Sequence, residues 1–282
     1  MDYLDTIYNG NQLMSVYDGN GSQGLYNTKE FNNKNPYSTD CAYDPNGNLT
    51  SDLDRDIDTI KYNVLNLPEI IQFKNGNQIR NLYDASGQKL QTRNITLNYS
   101  LNAPVTVKTI LTTGFDPSKG DDVYIEGTDY CGNVEYSYYN YYDDYMYSAY
   151  NMSEKSQWLA KVYNSEGYCS DFYYTIFNYF RRDHLGNNRE VWHAPFSSGN
   201  TNYPASTTQR TQYYPSGLPW ASNSIDHPEA QNKKYNGKEF VEMHGYDTYD
   251  YGARGMYAAI GRWTSVDPLA EKYYKYKSLC IL

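Results

Sequence analysis

Asp44-Pro-Asn-Gly47-Asn48 is the stretch that decides the reading of this chain, and three others share its form: Asp84-Ala-Ser-Gly87-Gln88, Asp129-Tyr-Cys-Gly132-Asn133 and Asp183-His-Leu-Gly186-Asn187. Aspartate at the first position of a type I turn bonds forward to the backbone. Glycine at the fourth accepts the left-handed conformation that returns the chain into a second strand. The four copies begin 40, 45 and 54 residues apart and are flanked by tyrosine and aliphatic residues. Such spacing predicts a repetitive β protein built as a surface or container, with little helix.

Working outward, Tyr-Asp or Tyr-Asn pairs stand at Tyr8-Asn9, Tyr17-Asp18, Tyr43-Asp44, Tyr62-Asn63 and Tyr83-Asp84, the last three 19 and 21 residues apart. Each is placed to end a short strand in a turn. Further turns are expected at Asn9-Gly10-Asn11 and Asn75-Gly76-Asn77, and the stretch from Ile57 to Ile71 reads as strand, turn at Leu65 to Pro68, strand. A unit of roughly 20 residues cannot bury its own apolar face, so neighbouring units must stack. From Tyr136 to Tyr150 the chain carries a dense tyrosine run whose partial alternation fits strands with rings on one face. Residues 153–161 are read as one or two helical turns. Beyond residue 181 the loops lengthen, and Gly and Pro mark abrupt corners.

Composition narrows the function classes. The 282 residues carry a net charge of −9 and include 35 tyrosines. Mean hydropathy is −0.82. Tyrosine buries a large ring while its hydroxyl stays wet, which suits thin walls with one face toward water. Basic residues cluster only in pairs such as Arg181-Arg182 and Lys233-Lys234, which speaks against binding a phosphate backbone. The cysteines Cys41, Cys131, Cys169 and Cys280 lie far apart, with no zinc or redox spacing; two disulfides stay open and unpaired. No window approaches the roughly 20 apolar residues of a membrane span, and the N-terminus lacks a signal-peptide pattern. No cofactor and no metal are expected.

The blocks Asp183-His-Leu-Gly-Asn, Tyr213-Tyr214-Pro-Ser-Gly217, Tyr235-Asn-Gly237-Lys-Glu239, Tyr251-Gly-Ala-Arg254 and Gly261-Arg262-Trp263-Thr-Ser-Val-Asp267-Pro follow one another in a fixed order. With the Tyr-Asp turns they resemble the rearrangement-hotspot (Rhs) and YD-repeat family in its Bacteroidetes form, over about Tyr8 to Tyr274. The resemblance implies YD-type hairpin repeats over 1–180, a repeat-associated core over 181–274 and a divergent tail over 275–282. It further implies stacked β-hairpins in a spiralling, curved sheet. In full-length members this winds into a hollow shell around a toxic C-terminal region delivered to competitor or host cells, so the chain reads as a truncated member, cell-surface or secreted. Partners implied are a toxin effector and, through exposed strand edges, further copies of the chain.

Many relatives cleave themselves behind the core with two aspartates. Asp267 occupies the second position, whereas Tyr257 or Ala258 stands at the first, which removes one of the two carboxylates such chemistry shares. A non-enzymatic structural role is therefore expected, with a glycan platform on the Tyr136–Tyr150 strands as the alternative. Asp52, Asp54, Asp56 and Asp58 alternate like the start of a calcium loop, yet Ile57 and Asn63 stand where that loop needs Gly and Glu, so a solvated face is expected. Trp158, Trp192, Trp220 and Trp263 read as buried anchors, Ser216 as a turn residue, and Arg254 and Arg262 as ties from loops to carboxylates such as Asp267. The histidines His184, His193, His227 and His244 form no nuclease-like cluster in the sequence.

Overall fold

The turn at Asp44 shows how the sequence closes each hairpin. In the computed structural model, which describes residues 4–18, 31, 39–97, 123–142, 154–170, 175–220 and 231–273, Asp44 Oδ1 accepts the backbone N–H groups of Asn46 and Asn48, both at 2.9 Å. Its Oδ2 accepts Asn48 Nδ2. Backbone bonds from Gly47 N to Asp44 O and from Asp44 N to Asn48 O complete a type I turn with Gly47 left-handed at φ 79°. Val266 packs where a Gly47 side chain would begin, so the position excludes a Cβ on two grounds. Just past the turn the pairing slips, since Ala42 faces Ser51 but Tyr43 faces Leu49. The slip is a β-bulge that adds twist.

The same backbone circuit and the same slip recur at 84–88 and 183–187. They also recur at 63–67, where Asn63 replaces the aspartate and Asn66, at φ 59°, replaces the glycine. Residues 73–77, 214–218 and 234–238 keep the backbone bonds without a carboxylate at the first position. Asp129 requires a correction. It lies inside a strand, and Cys131 pairs directly with Val134, so the reversal is a two-residue turn at Gly132-Asn133. A turn that short leaves no orphan N–H groups for Asp129 to satisfy. Its carboxylate instead accepts Arg93 Nη2 at 2.6 Å, Gln91 Nε2 at 2.9 Å and Gln157 Nε2 at 2.5 Å across the strands.

Thirteen strands form one antiparallel sheet in which almost every strand pairs with its sequence neighbour. They are β3 (Cys41–Tyr43), β4 (Leu49–Asp52), β5 (Ile57–Tyr62), β6 (Pro68–Phe73), β7 (Gln78–Tyr83), β8 (Lys89–Leu97), β9 (Val123–Cys131), β10 (Val134–Tyr142), β11 (Glu154–Tyr163), β12 (Gly167–Ser170), β13 (Ile176–Arg182), β14 (Asn188–His193) and β17 (Ser206–Arg210). The sheet runs through residue 180 without interruption and ends on β3 and β17. Hairpins β1 (Leu4–Asn9) with β2 (Gln12–Asp18), β15 (Phe196–Ser198) with β16 (Thr201–Tyr203), and β18 (Gln212–Tyr213) with β19 (Pro219–Trp220) flank it. A second sheet comprises β20 (Glu239–Val241), β21 (Thr248–Asp250), β22 (Gly255–Tyr257) and β23 (Arg262–Trp263). Helix is confined, among the described residues, to three short 3-10 turns. The architecture is all-β.

Bulges decide which side chains meet. Ile57 pairs with Phe73 and Thr59 with Gln72, so Asp58 is an extra residue and Ile57 and Ile60 reach the same face. With Ile71, Phe73 and Ile79 they form the main core, to which Tyr246, from the second sheet's side, also belongs. A second core joins Leu218, Phe240, Tyr249, Met256 and Ala258. The helical turns expected at 153–161 are absent. Residues from Glu154 onward are a strand because β10 pairs along it from Glu154 to Val162, with β12 joining on the other side from Lys161, which satisfies its backbone over a longer stretch than one isolated helical turn. Turn tips stack as well, since Asn66 Oδ1 accepts Nδ2 of both Asn46 and Asn48.

Two substitutions separate the two uses of one motif. Asp44→Ala is expected to lower unfolding free energy by about 1–2 kcal/mol, the scale of a lost capping carboxylate, and Asp44→Asn to recover most of it. Asp129→Asn should leave its hairpin intact while weakening the Arg93 contact. Equal rescue by Asn at both positions in urea titrations would contradict the assignment.

Candidate functional site

The site with the densest chemistry is the seam where residues 231–264 lie across one face of the large sheet. Two cations from that face carry it. Arg55 follows β4, whose last residue Asp52 accepts Arg55 Nε at 2.7 Å, with both side chains buried. Nη1 reaches the covering segment, donating to Tyr246 O at 3.0 Å and to Thr248 Oγ1 at 2.9 Å. The Tyr257 ring stacks 4.1 Å away. Burial opposes the charge on Arg55, and Asp52 leads the groups that outweigh burial, with a net upward shift in pKa. Asp52 and Asp54 are buried, which corrects the expectation of a solvated face for those two, while Asp56 and Asp58 stay partly exposed.

Lys89 opens β8 and donates 2.7 Å hydrogen bonds to Glu239 Oε2 and Asp250 Oδ2. Tyr130, on neighbouring β9, donates to Glu239 Oε1 at 2.6 Å, and Asn232 Nδ2 adds a bond to the same oxygen at 3.1 Å. Desolvation would lower the Lys89 pKa, yet the two carboxylates hold it well above its ordinary value. Further along, Lys233 bridges to Glu135 at 3.2 Å and lies over the Tyr163 ring at 3.3 Å. Lys234 is buried against Glu242. Asn188 Nδ2 donates to Lys233 O, and Gln209 Nε2 to Gln231 O. The contacts run from β4 to β17, so the segment straps nearly the whole sheet.

The core-block residues fall on this strap or at its corners. The Tyr214 turn puts Gly217 at φ 87° under the Tyr235 ring, and Gly217 O accepts Tyr249 OH at 2.9 Å. Ser216 is in that turn. Gly237 and Gly261 are left-handed corners. Arg254 Nη2 binds Asp267 Oδ2 at 3.0 Å with its guanidinium 4.1 Å from the Trp263 ring. Arg262 differs from expectation. It meets Tyr8 through a hydrogen bond and ring contact, tying the strap to the first hairpin, since Arg254 already takes the carboxylate. Tyr257 and Ala258, at the place of the missing aspartate, are both buried. Asp267 is thus held by an arginine and no second carboxylate accompanies it among the described contacts.

The aromatic expectations are corrected in part. Tyr139 meets Tyr124 edge-on at 84°, and the Tyr138 ring carries Arg93 at 3.9 Å, so these rings do not make a coplanar platform. Residues 143–150 of the run lie outside the described residues, as do Cys280, His227 and the Trp220 side chain. Trp158 is 51% exposed, the opposite of an anchor. It pairs with Ser137 on β10. Trp192 stacks on Tyr179 at 4.9 Å. The described residues hold no group of three His, Cys, Asp or Glu placed to bind a metal.

Two measurements follow from the seam. Lys89→Met should cost about 3 kcal/mol, because it strands two carboxylates in the interior, and adding Glu239→Gln with Asp250→Asn should restore part of that loss. Strict additivity of the three changes would contradict a shared network. His244, on the strap, packs edge-on to Phe73 and contacts Asn77 Nδ2 at 3.1 Å through Nδ1; burial lowers its pKa to about 4. A histidine depressed in the folded state stabilises above its unfolded value of about 6.5, and that stability is lost as pH falls toward 4. The urea midpoint should decline across that window, and less so in His244→Asn, which tolerates the left-handed φ of 57°.

No protein-family model and no curated protein matches the sequence. Among solved structures, the chain is similar to the crystal structure of TcdB2-TccC3 without hypervariable C-terminal region, with a TM-score of 0.51 at 15% identity. The match covers 94% of this chain and 14% of that one, so the chain spans about a seventh of the protein it matches. The likeness is one of fold, an Rhs-like all-β sheet.

Proposed function

We propose that this chain is a stretch of wall from a β-strand shell, with residues 231–264 strapping the inner face, and that the longer assembly encloses a C-terminal cargo such as a toxin. The observation that carries the reading is the thirteen-strand sheet, a meander from β3 to β14 with β17 added past the β15–β16 hairpin, whose outermost strands among the described residues are β3 and β17. A wall continues by adding strands at such edges. Support comes from the fold shared with a much longer protein and from the order of the core blocks. No helix among the described residues is long and apolar enough to cross a membrane, and a secreted or cell-surface setting fits a delivery shell.

The role is structural. Asp267 orders the corner at Arg254 and Trp263, and the accompanying carboxylate that self-cleavage needs is replaced by buried residues. Purified protein should keep its intact mass on prolonged incubation, as should Asp267→Asn; a product shortened behind residue 263 in the parent alone would establish cleavage. A free glycan platform on the tyrosine run is not favoured, given the edge-on and arginine-covered rings.

The edges supply the main test. At rising concentration the isolated chain should elute as larger species in size-exclusion chromatography, and Thr208→Lys on β17 should reduce them. A single compact monomer throughout would contradict the wall reading.

A further inference from the structure

Where the strap crosses β7, β8 and β9, an amine and two carboxylates stand in an order that can do more than pair charges. Glu239 and Asp250 are direct partners across β20 and β21, so their side chains leave the strap on one face. Lys89 Nζ lies between them, 2.7 Å from Glu239 Oε2 and 2.7 Å from Asp250 Oδ2. Each carboxylate is also held at its other oxygen. Asp250 Oδ1 accepts the Gly252 N–H at 2.7 Å. Glu239 Oε1 accepts Tyr130 OH at 2.6 Å and Asn232 Nδ2 at 3.1 Å. All three side chains are largely buried, and Ile79, Tyr83, Val241 and Tyr249 line the space beside Lys89 and Asp250.

We propose that Lys89 and Asp250 condense into an intramolecular isopeptide bond that locks the strap to the sheet, with Glu239 as the proton carrier. The Lys89 amine attacks Asp250 Cγ, a C–N bond forms, the bond from Cγ to Oδ2 breaks, and Oδ2 departs as water. Both protons of that water come from the ammonium by way of Glu239, which ends as the carboxylate it began as. No oxidant or further reactant is needed. The ion triad is the reactant state, and Nζ becomes a nucleophile only as Glu239 takes its proton. Negative charge then builds on Oδ1, where the Gly252 N–H already donates. Tyr130 and Asn232 fix Glu239 Oε1, which keeps Oε2 turned to Nζ. Contact in the folded chain supplies the proximity that such a condensation lacks in water. Burial favours the product, because a neutral amide replaces two charges in an interior that solvates them poorly. The bond joins residues 161 apart in sequence, and it does not depend on the shell reading.

The test weighs the whole purified chain by mass spectrometry in denaturant, then maps its digest by tandem mass spectrometry. The bond forms as the strap settles on the sheet, so the purified chain should be one water lighter than its sequence requires and hold that mass thereafter. A peptide containing Lys89 should be joined to one containing Asp250. Lys89→Arg and Asp250→Ala should restore the full sequence mass. Asp250→Asn should still form the link, losing ammonia in place of water. Glu239→Gln should leave at most about a tenth of the chains linked, with far-UV circular dichroism as the check on folding. The parent's own mass decides the matter even where a variant fails to fold. A parent at full sequence mass, with Lys89 open to amine labelling after unfolding, would overturn the proposal. So would a lost water that maps to any other pair of residues. Full linkage in folded Glu239→Gln would overturn the role given to Glu239.

Discussion

A cation taken out of water must be met by partners in fixed positions, and that constraint organises this molecule. Arg55 and Lys89 rise from the large sheet into an interior that cannot solvate them. Asp52 answers the first from the same strand pair, and the remaining hydrogen bonds and ion pairs come from Tyr246, Thr248, Glu239 and Asp250 on the strap. The strap cannot slide by one residue without stranding a charge, since a one-residue slip turns Glu239 and Asp250 to the other face of their sheet. Register between two sheets distant in sequence is thereby set by a few charged atoms.

Beneath the strap, the large sheet rests on local chemistry. Each Asx turn satisfies its own backbone, and each is followed by a bulge that adds right-handed twist at the same end of successive hairpins. Twist applied repeatedly at one end is what makes a long meander curve instead of lying flat. Tyrosine, standing before many of the turns, supplies rings to the inner face and hydroxyls to neighbouring carbonyls, as Tyr62 does to Leu49 O at 2.8 Å. Even the close approach of β8 and β9 has a local cause, since a Cβ on Gly127 would fall 2.0 Å from Thr92 O.

Legibility in the sequence followed the range of the interaction. The turns at Asp44, Asp84 and Asp183 are readable because donor and acceptor lie within five residues. Asp129 has the same spelling and a different structure, because Cys131 and Val134 pair across the strands and close the loop earlier. The turn expected at Leu65 to Pro68 lies at 63–67, with Pro68 already in β6, and Asn66 fills the position where glycine is expected. Alternation failed around Ile57 and Ile60, where the bulged Asp58 carries both to one side. Lys89 is 150 residues from Glu239 and 161 from Asp250, and nothing in their local sequence announces that they meet. Arg55 has a signal only in retrospect, as an arginine among aspartates three residues after Asp52.

Native-state hydrogen exchange read by mass spectrometry asks whether sheet and strap are one cooperative body. Peptides covering 239–257 should exchange with the same opening free energy as those covering 57–97, and the two should lose protection together when Arg55 is replaced by leucine. A strap that exchanges far faster than the sheet beneath it, and at a rate indifferent to residue 55, would show that the buried cations do not hold the fold together.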